Sequence, residues 1–170
     1  LVEDNNLLIT HAYTGWPGSA HDARVLRNSS IYGEANNIIN DDHYLIGDSV
    51  YPLRHWLVTP FRNNGQLTIQ QHRFNRMVSA CTQSVERSIG HLKGRMRRLR
   101  ELPAHSIEDV CNIIMAGCIM HNLCILHEDD IDKYIGCAIN SGSRSNRFPN
   151  IYHNAADGIA LRDQLMNMMP

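Results

Sequence analysis

No proline falls between Pro60 and Pro103, and inside that interval Thr68 is followed three residues later by Gln71. A hydroxyl at a helix N-cap and an amide three positions on satisfy each other's backbone donors, so this pairing opens a helix. One long helix is therefore expected, with Ser79 or Gly90 as possible breaks and Pro103 as its end. Its composition is as constrained as its length. From Leu67 to Arg100 lie Arg73, Arg76, Arg87, Lys93, Arg95, Arg97, Arg98 and Arg100, half of the chain's sixteen basic residues, against a single acid, Glu86. A segment this basic in a protein of net charge −1 reads as a local phosphate-binding surface. A solvated helix face would give the same charge count, so the placement of Glu86 matters.

The rest of the composition narrows the class. A chain of 170 residues allows one ordinary domain, and 43% hydrophobic with 19% charged residues excludes wholesale disorder, a collagen-like repeat and a coiled coil. No apolar run is expected to reach the ~18 to 20 residues that cross a bilayer, and Leu1-Val2-Glu3-Asp4 has neither a basic n-region nor an h-region. Five cysteines, at positions 81, 111, 118, 124 and 137, fit a reducing compartment, nucleus or cytoplasm. A start at Leu1 instead of Met reads as a fragment.

Along the chain, residues 7 to 13 predict a strand, ended by Gly15, Pro17 and Gly18. Trp16 and Pro17 read as builders of that turn, not as DNA contacts. Ser19 with Asp22 imitates a capping box and predicts a helix to about Ser29, burying some of Ala20, Ala23, Val25 and Leu26. Residues 36 to 42 read as a polar loop. Tyr44-Leu45-Ile46 predicts a short buried strand that delivers Asp48 at its C-terminal end. Residues 51 to 64 read as an irregular connection. Ser106 and Asp109 cap a further helix through about His127, which looks too apolar for a surface helix at Val110, Ile113, Ile114, Ile119, Leu123 and Leu126. Beyond it come an acidic knot at residues 128 to 132, a polar loop at 140 to 150 and a short amphipathic docking helix at 159 to 168.

Asp48 and Glu86 are the candidate chemical pair: one ends a core strand, the other rides the basic helix. Carboxylates on rigid elements are what Mg²⁺ needs, and two such ions can clamp an in-line phosphoryl displacement. A turn aspartate and a surface glutamate are the plain alternative. At 100° per residue, Lys93, Arg97 and Arg100 fall within about 40° of Glu86, while Val85, Ile89, Leu92, Met96 and Leu99 gather on an adjacent packing face. That is a metal ligand heading a row of cations. Cys111, Cys118, His121 and Cys124 follow one side of a helix, which cannot fold four ligands around one zinc ion.

Four ordered motifs carry a resemblance. They are Gly15-Trp16-Pro17-Gly18-Ser19 with His21-Asp22-Ala23-Arg24-Val25-Leu26, Tyr44-Leu45-Ile46-Gly47-Asp48-Ser49-Val50-Tyr51-Pro52-Leu53, Val85-Glu86-Arg87-Ser88-Ile89-Gly90-His91-Leu92-Lys93-Gly94-Arg95, and Met120-His121-Asn122-Leu123-Cys124. Together they resemble the PIF/Harbinger transposase superfamily and its domesticated Harbinger-derived nucleases, over residues 1 to 124. The resemblance implies an α/β, ribonuclease H-like fold, a mixed sheet flanked by helices, with a helical tail at 125 to 170. It also implies an Asp-Asp-Glu metal triad in which Asp48 is the second aspartate and Glu86 the glutamate. The first aspartate would sit in an Asp-Gly-Thr-His strand ahead of Leu1, so the domain would be N-terminally incomplete and inactive by itself. Asp4 matches a different position, and Asp22 is a lesser metal or substrate candidate. Implied with the triad are Mg²⁺ or Mn²⁺, a DNA substrate seated on Lys93, Arg97 and Arg100, a nuclear location and a separate DNA-binding partner protein. The other reading is a noncatalytic DNA- or protein-binding module derived from a transposase.

Overall fold

The computed structural model describes residues 1–39, 43–102, 106–129 and 155–169. Pro103, Cys137 and the loop at 140 to 150 lie outside the described residues. The chain divides into two compact units, one built from Leu1–Gly18 and Ser84–Arg144 and the other from Ser19–Gln83 and Ser145–Pro170.

The first unit opens with β1 (Val2–Glu3) and β2 (Ile9–His11), an antiparallel pair with an irregular register at Val2/Glu3. The connection is tied by Asp4, whose Oδ1 accepts the N–H groups of Asn6 and Leu8, each at 2.9 Å. Leu7 takes a positive φ of 65° there, which shortens the strand expected over residues 7 to 13. Helix α4 (Ile107–Leu126) starts on the capping pair read from sequence: Asp109 N–H donates to Ser106 Oγ at 3.1 Å, and that hydroxyl donates to Asp109 Oδ2 at 2.8 Å. It grips β2 by its side chains. Ile9 N–H donates to Asn122 Oδ1 at 2.8 Å and Asn122 Nδ2 donates to Ile9 C=O at 2.9 Å, so one amide stands in for a neighbouring strand. His121, fully buried, places Nε2 3.1 Å from the Leu7 carbonyl oxygen. Around these bonds Ile9, Leu92 and Cys118 form the core, with Ala12, Leu99 and Ile114 against it.

Two expectations for α4 change. It is not an interior helix: only Gly117, Cys118 and His121 are buried, while Ile107 is 70% and Leu126 64% exposed. It is also long and apolar enough, by length and composition alone, to cross a membrane, contrary to the expectation from sequence. Its His121 and Asn122 side chains bond the β2 strand and the residue Leu7 ahead of it, the role of a helix in a folded unit.

The second unit contains α1 (Asp22–Arg27), α2 (Ser30–Ile38), β3 (Leu45–Ile46), β4 (Leu57–Val58) and α5 (Ala155–Met168). The cap of α1 is His21, whose Nδ1 accepts Ala23 N–H at 3.2 Å, not Ser19, so Asp22 is the first helical residue. Residues 36 to 38, read as loop, continue α2. β3 and β4 pair in parallel, Leu45 with Leu57 and Ile46 with Val58. β3 is less buried than expected: with two strands in the sheet, Tyr44 and Ile46 remain exposed. Ala35, Trp56 and Leu57 make one core and Val58, Phe74 and Val78 another. Helix α5 closes the latter with Leu161, Leu165 and Met166, and Arg162 lies 3.9 Å above the Phe61 ring. Gly158 permits this approach, since a Cβ there would come within 2.8 Å of the Arg54 backbone.

Helix α3 (Ile69–Arg95) begins in the second unit and ends in the first, on the Thr68–Gln71 capping box. It runs unbroken through Ser79 and Gly90 but stops at Arg95, before Pro103. Met96 leaves helical geometry at φ −112°, ψ 86°, and Arg97–Leu99 forms a separate 3₁₀ turn. The Arg100 guanidinium satisfies one of the carbonyls this exposes, with Nε donating to Lys93 C=O at 2.9 Å. The described residues thus form an α/β structure with a two-stranded sheet in each unit.

Replacing Asn122 with Ala should cost about 1–3 kcal/mol, because it strands both backbone groups of a buried residue; urea denaturation and amide exchange at Ile9 would show it. The His121 pKa is lowered below its ordinary value, chiefly by burial, with Arg95 adding to the effect and the Leu7 carbonyl and Glu3 opposing it. The folded state therefore binds fewer protons than the unfolded state. This contribution is complete above pH ~6.5 and declines as pH falls below it toward the lowered value. Denaturation midpoints measured from about pH 8 down to pH 5 should fall less steeply in His121→Gln than in the parent.

Candidate active site

The local structure around Asp48 follows from one glycine. Gly47 is buried at the end of β3, and its N–H donates to Val58 C=O at 2.9 Å, carrying the parallel ladder one residue further. A Cβ at this position would lie 3.0 Å from the Tyr51 ring and 3.1 Å from Leu57. The chain then turns, with Tyr51 N–H donating to Asp48 C=O at 3.1 Å, and the Tyr51 ring folds back over Gly47. Asp48 is left exposed at the carboxyl end of a parallel strand, a usual place for ligand-binding residues in open α/β sheets. Its Oδ1 accepts the Ser49 N–H.

A second carboxylate acts on the same place. The Tyr51 hydroxyl has its pKa pushed up to about 12, first by burial, then by the charge of Asp22 and then by that of Asp48. Asp22, exposed in the first turn of α1, and Asp48 therefore both direct negative charge at one phenol, which stays protonated at neutral pH. Two exposed carboxylates offer the hard oxygen donors that Mg²⁺ or Mn²⁺ prefers. Among the described residues, no group of three or more His, Cys, Asp or Glu side chains converges on a metal-sized site. Sequence reasoning missed Tyr51, although it stands in the same motif as Asp48; the signal was the glycine four residues before an aromatic ring that needs its space.

The other predicted residues lie in the first unit. Glu86 is exposed on α3, and Val85, Ile89 and Leu92 form the packing side that the 100° spacing gives. Lys93 is exposed on the last turn of that helix. Arg97 and Arg100 are exposed as well, but beyond the helix end, so the cations do not form one straight helical row. Arg100 instead folds back on the Lys93 carbonyl, so these two cations are joined through the helix terminus. Arg95 is turned to structure, its Nε 3.3 Å from Asp129 Oδ2. Asp4 is occupied by the β1–β2 turn. Cys111, Cys118, His121 and Cys124 are strung along α4, the first and last separated by about 20 Å of helix rise.

Comparison with known proteins settles the family. A family model described as DDE superfamily endonuclease matches residues 1–122. The chain belongs to the DDE superfamily endonucleases. It is 36% identical over 121 residues to a Mus musculus protein called "Putative nuclease HARBI1", covering 69% of this chain and 34% of the relative. The Homo sapiens protein of the same name is 34% identical with the same coverage. An Arabidopsis thaliana protein, "Protein ALP1-like", is 30% identical over 142 residues, 75% of this chain and 35% of that protein. This DDE superfamily chain thus spans about a third of the length of the curated relatives it matches. No solved structure matches it.

Proposed function

We propose that the chain is part of a metal-dependent DNA nuclease or transposase-type enzyme with a ribonuclease H-like core, in which Asp48 and Glu86 are metal carboxylates. The observation that carries this reading is Asp48 exposed at the carboxyl end of a parallel strand, in a chain of an endonuclease superfamily, with Asp22 acting on the same partly buried Tyr51. Asp48 and Glu86, with Asp22 as an additional contact, would hold Mg²⁺ or Mn²⁺, which when bound would supply positive charge to the attacking water and the leaving 3′-oxygen. The chain's own groups do the rest. Gly47 and the Tyr51 ring fix the direction in which Asp48 leaves the strand. The Tyr51 hydroxyl stays protonated and so adds no charge near the two carboxylates. Lys93, Arg97 and Arg100, all exposed, seat the phosphate backbone and set register without reading sequence. The substrate, the separate DNA-binding partner and a nuclear site of action follow from this reading.

The test uses the full-length gene product. With Mg²⁺ or Mn²⁺ it should cleave DNA, and Asp48→Asn and Glu86→Gln should each lower the rate by a factor of about 10² to 10³, the cost of removing a single charge-stabilising group. Asp22→Asn should cost less. Lys93, Arg97 and Arg100 replaced together by Ala should weaken binding and flatten its log-log salt dependence by about 0.9 for each phosphate no longer neutralised. Cleavage at the parental rate by Glu86→Gln would overturn the assignment. DNA binding without cleavage under either metal would favour the noncatalytic module.

A further inference from the structure

The turn over residues 13 to 18 has no part in the chemistry above, yet it carries two exposed aromatic rings. Tyr13 and Trp16 keep 37% and 36% of their surface in contact with solvent, whereas Trp56, in the second unit's core, keeps 6%. Indole is a large apolar group that proteins normally cover. The turn does not owe its shape to these rings. Gly15 supplies a φ of +100°, a conformation open to glycine. Anchorage comes from α4: a Cβ on Gly15 would lie 3.4 Å from Cys111 Sγ, and Thr14 Oγ1 donates to that sulfur at 3.8 Å. The expectation that Trp16 merely builds the turn leaves its exposure unexplained.

The same helix seats the basic 3₁₀ turn. A Cβ on Gly117 would meet Leu99 at 2.9 Å, and Leu99 packs with Ala12, the residue before Tyr13, on the Ile9–Leu92–Cys118 cluster. From Cys111 to Gly117 the helix rises only about 9 Å. Aromatic turn and basic turn thus rest on the same stretch of α4, about a third of a turn apart around it, and share the Ile9–Leu92–Cys118 cluster through Ala12 and Leu99, with Arg97 and Arg98 exposed on the basic turn. A flat π-face held rigidly beside guanidinium groups is the chemistry that binds unstacked bases and the phosphates between them. Duplex DNA, with its bases already stacked on one another, gives such a ring little to engage.

We propose that the Tyr13–Gly18 turn is a stacking platform for unpaired nucleobases, with Trp16 as the principal ring and Arg97 and Arg98 holding the adjacent phosphates. This rests on the DNA reading above and adds a preference for single-stranded or frayed segments, separate from the carboxylate site.

The two tryptophans make the test direct. The 170-residue protein is titrated with a short oligothymidine and, separately, with a duplex of equal length, following tryptophan fluorescence and affinity. Single-strand binding should quench fluorescence in the parent and in Trp56→Phe. Trp16→Ala should abolish the quench and weaken single-strand affinity by about 5- to 100-fold, Trp16→Phe should restore most of it, and duplex affinity should stay within about 2-fold throughout. Single-strand affinity unchanged in Trp16→Ala would overturn the platform, as would duplex binding unaccompanied by a single-strand quench. If neither nucleic acid binds, the DNA reading falls and takes the platform with it. Should Trp16→Ala fail to fold, the quench in Trp56→Phe decides alone, its absence counting against the proposal.

Discussion

Asn122 spends both ends of its amide on the backbone of Ile9, and the first unit depends on that exchange. A two-stranded sheet is marginal in water, and among the described residues each sheet is two strands wide. Each is therefore stabilised by what is laid against it. In the first unit, Asn122 bonds the backbone of β2 at Ile9 and His121 holds the neighbouring Leu7 carbonyl. In the second, α5 covers the core beside β4, and Gly158 lets its backbone come close to Arg54. Helices do for these short strands what further strands do in a wide sheet.

The same economy places the candidate site. Gly47 follows β3 where a Cβ would press on the Tyr51 ring, and the turn that follows leaves Asp48 exposed to solvent. Tyr51 in turn feels Asp22 from α1. A glycine, a ring and two carboxylates thus form one small assembly within the second unit, while Glu86 and the cations Lys93, Arg97 and Arg100 belong to the first. The proposed function gives these residues a common purpose; the local packing gives each its place.

Much of this was legible in the sequence where a short-range rule decides. Thr68–Gln71 and Ser106–Asp109 opened their helices as expected, because a cap is satisfied within four residues. The motifs around Asp48 and Glu86 led to the family, which the comparisons show. What periodicity could not supply were decisions made by distant partners. Apolar residues at Ile107, Ile119 and Leu126 fixed a helix but not what would cover them, and they stand exposed. The row of cations assumed that α3 continued to Pro103; the helix ends at Arg95, and Arg100 caps it instead of extending the stripe. His21 displaced Ser19 as the cap of α1, since an imidazole nitrogen can accept an N–H as a hydroxyl can.

The part of the proposed site that lies within the second unit depends on Asp22 and Asp48, far apart in sequence, both reaching a single cation. The most direct test is paramagnetic broadening of the ¹⁵N-labelled protein titrated with Mn²⁺ alone. The amide signals of Ala23 and Ser49 should broaden together at the same low metal concentration, and Asp48→Asn should remove the effect at both. Broadening at only one of them, or at both undiminished in Asp48→Asn, would contradict the claim.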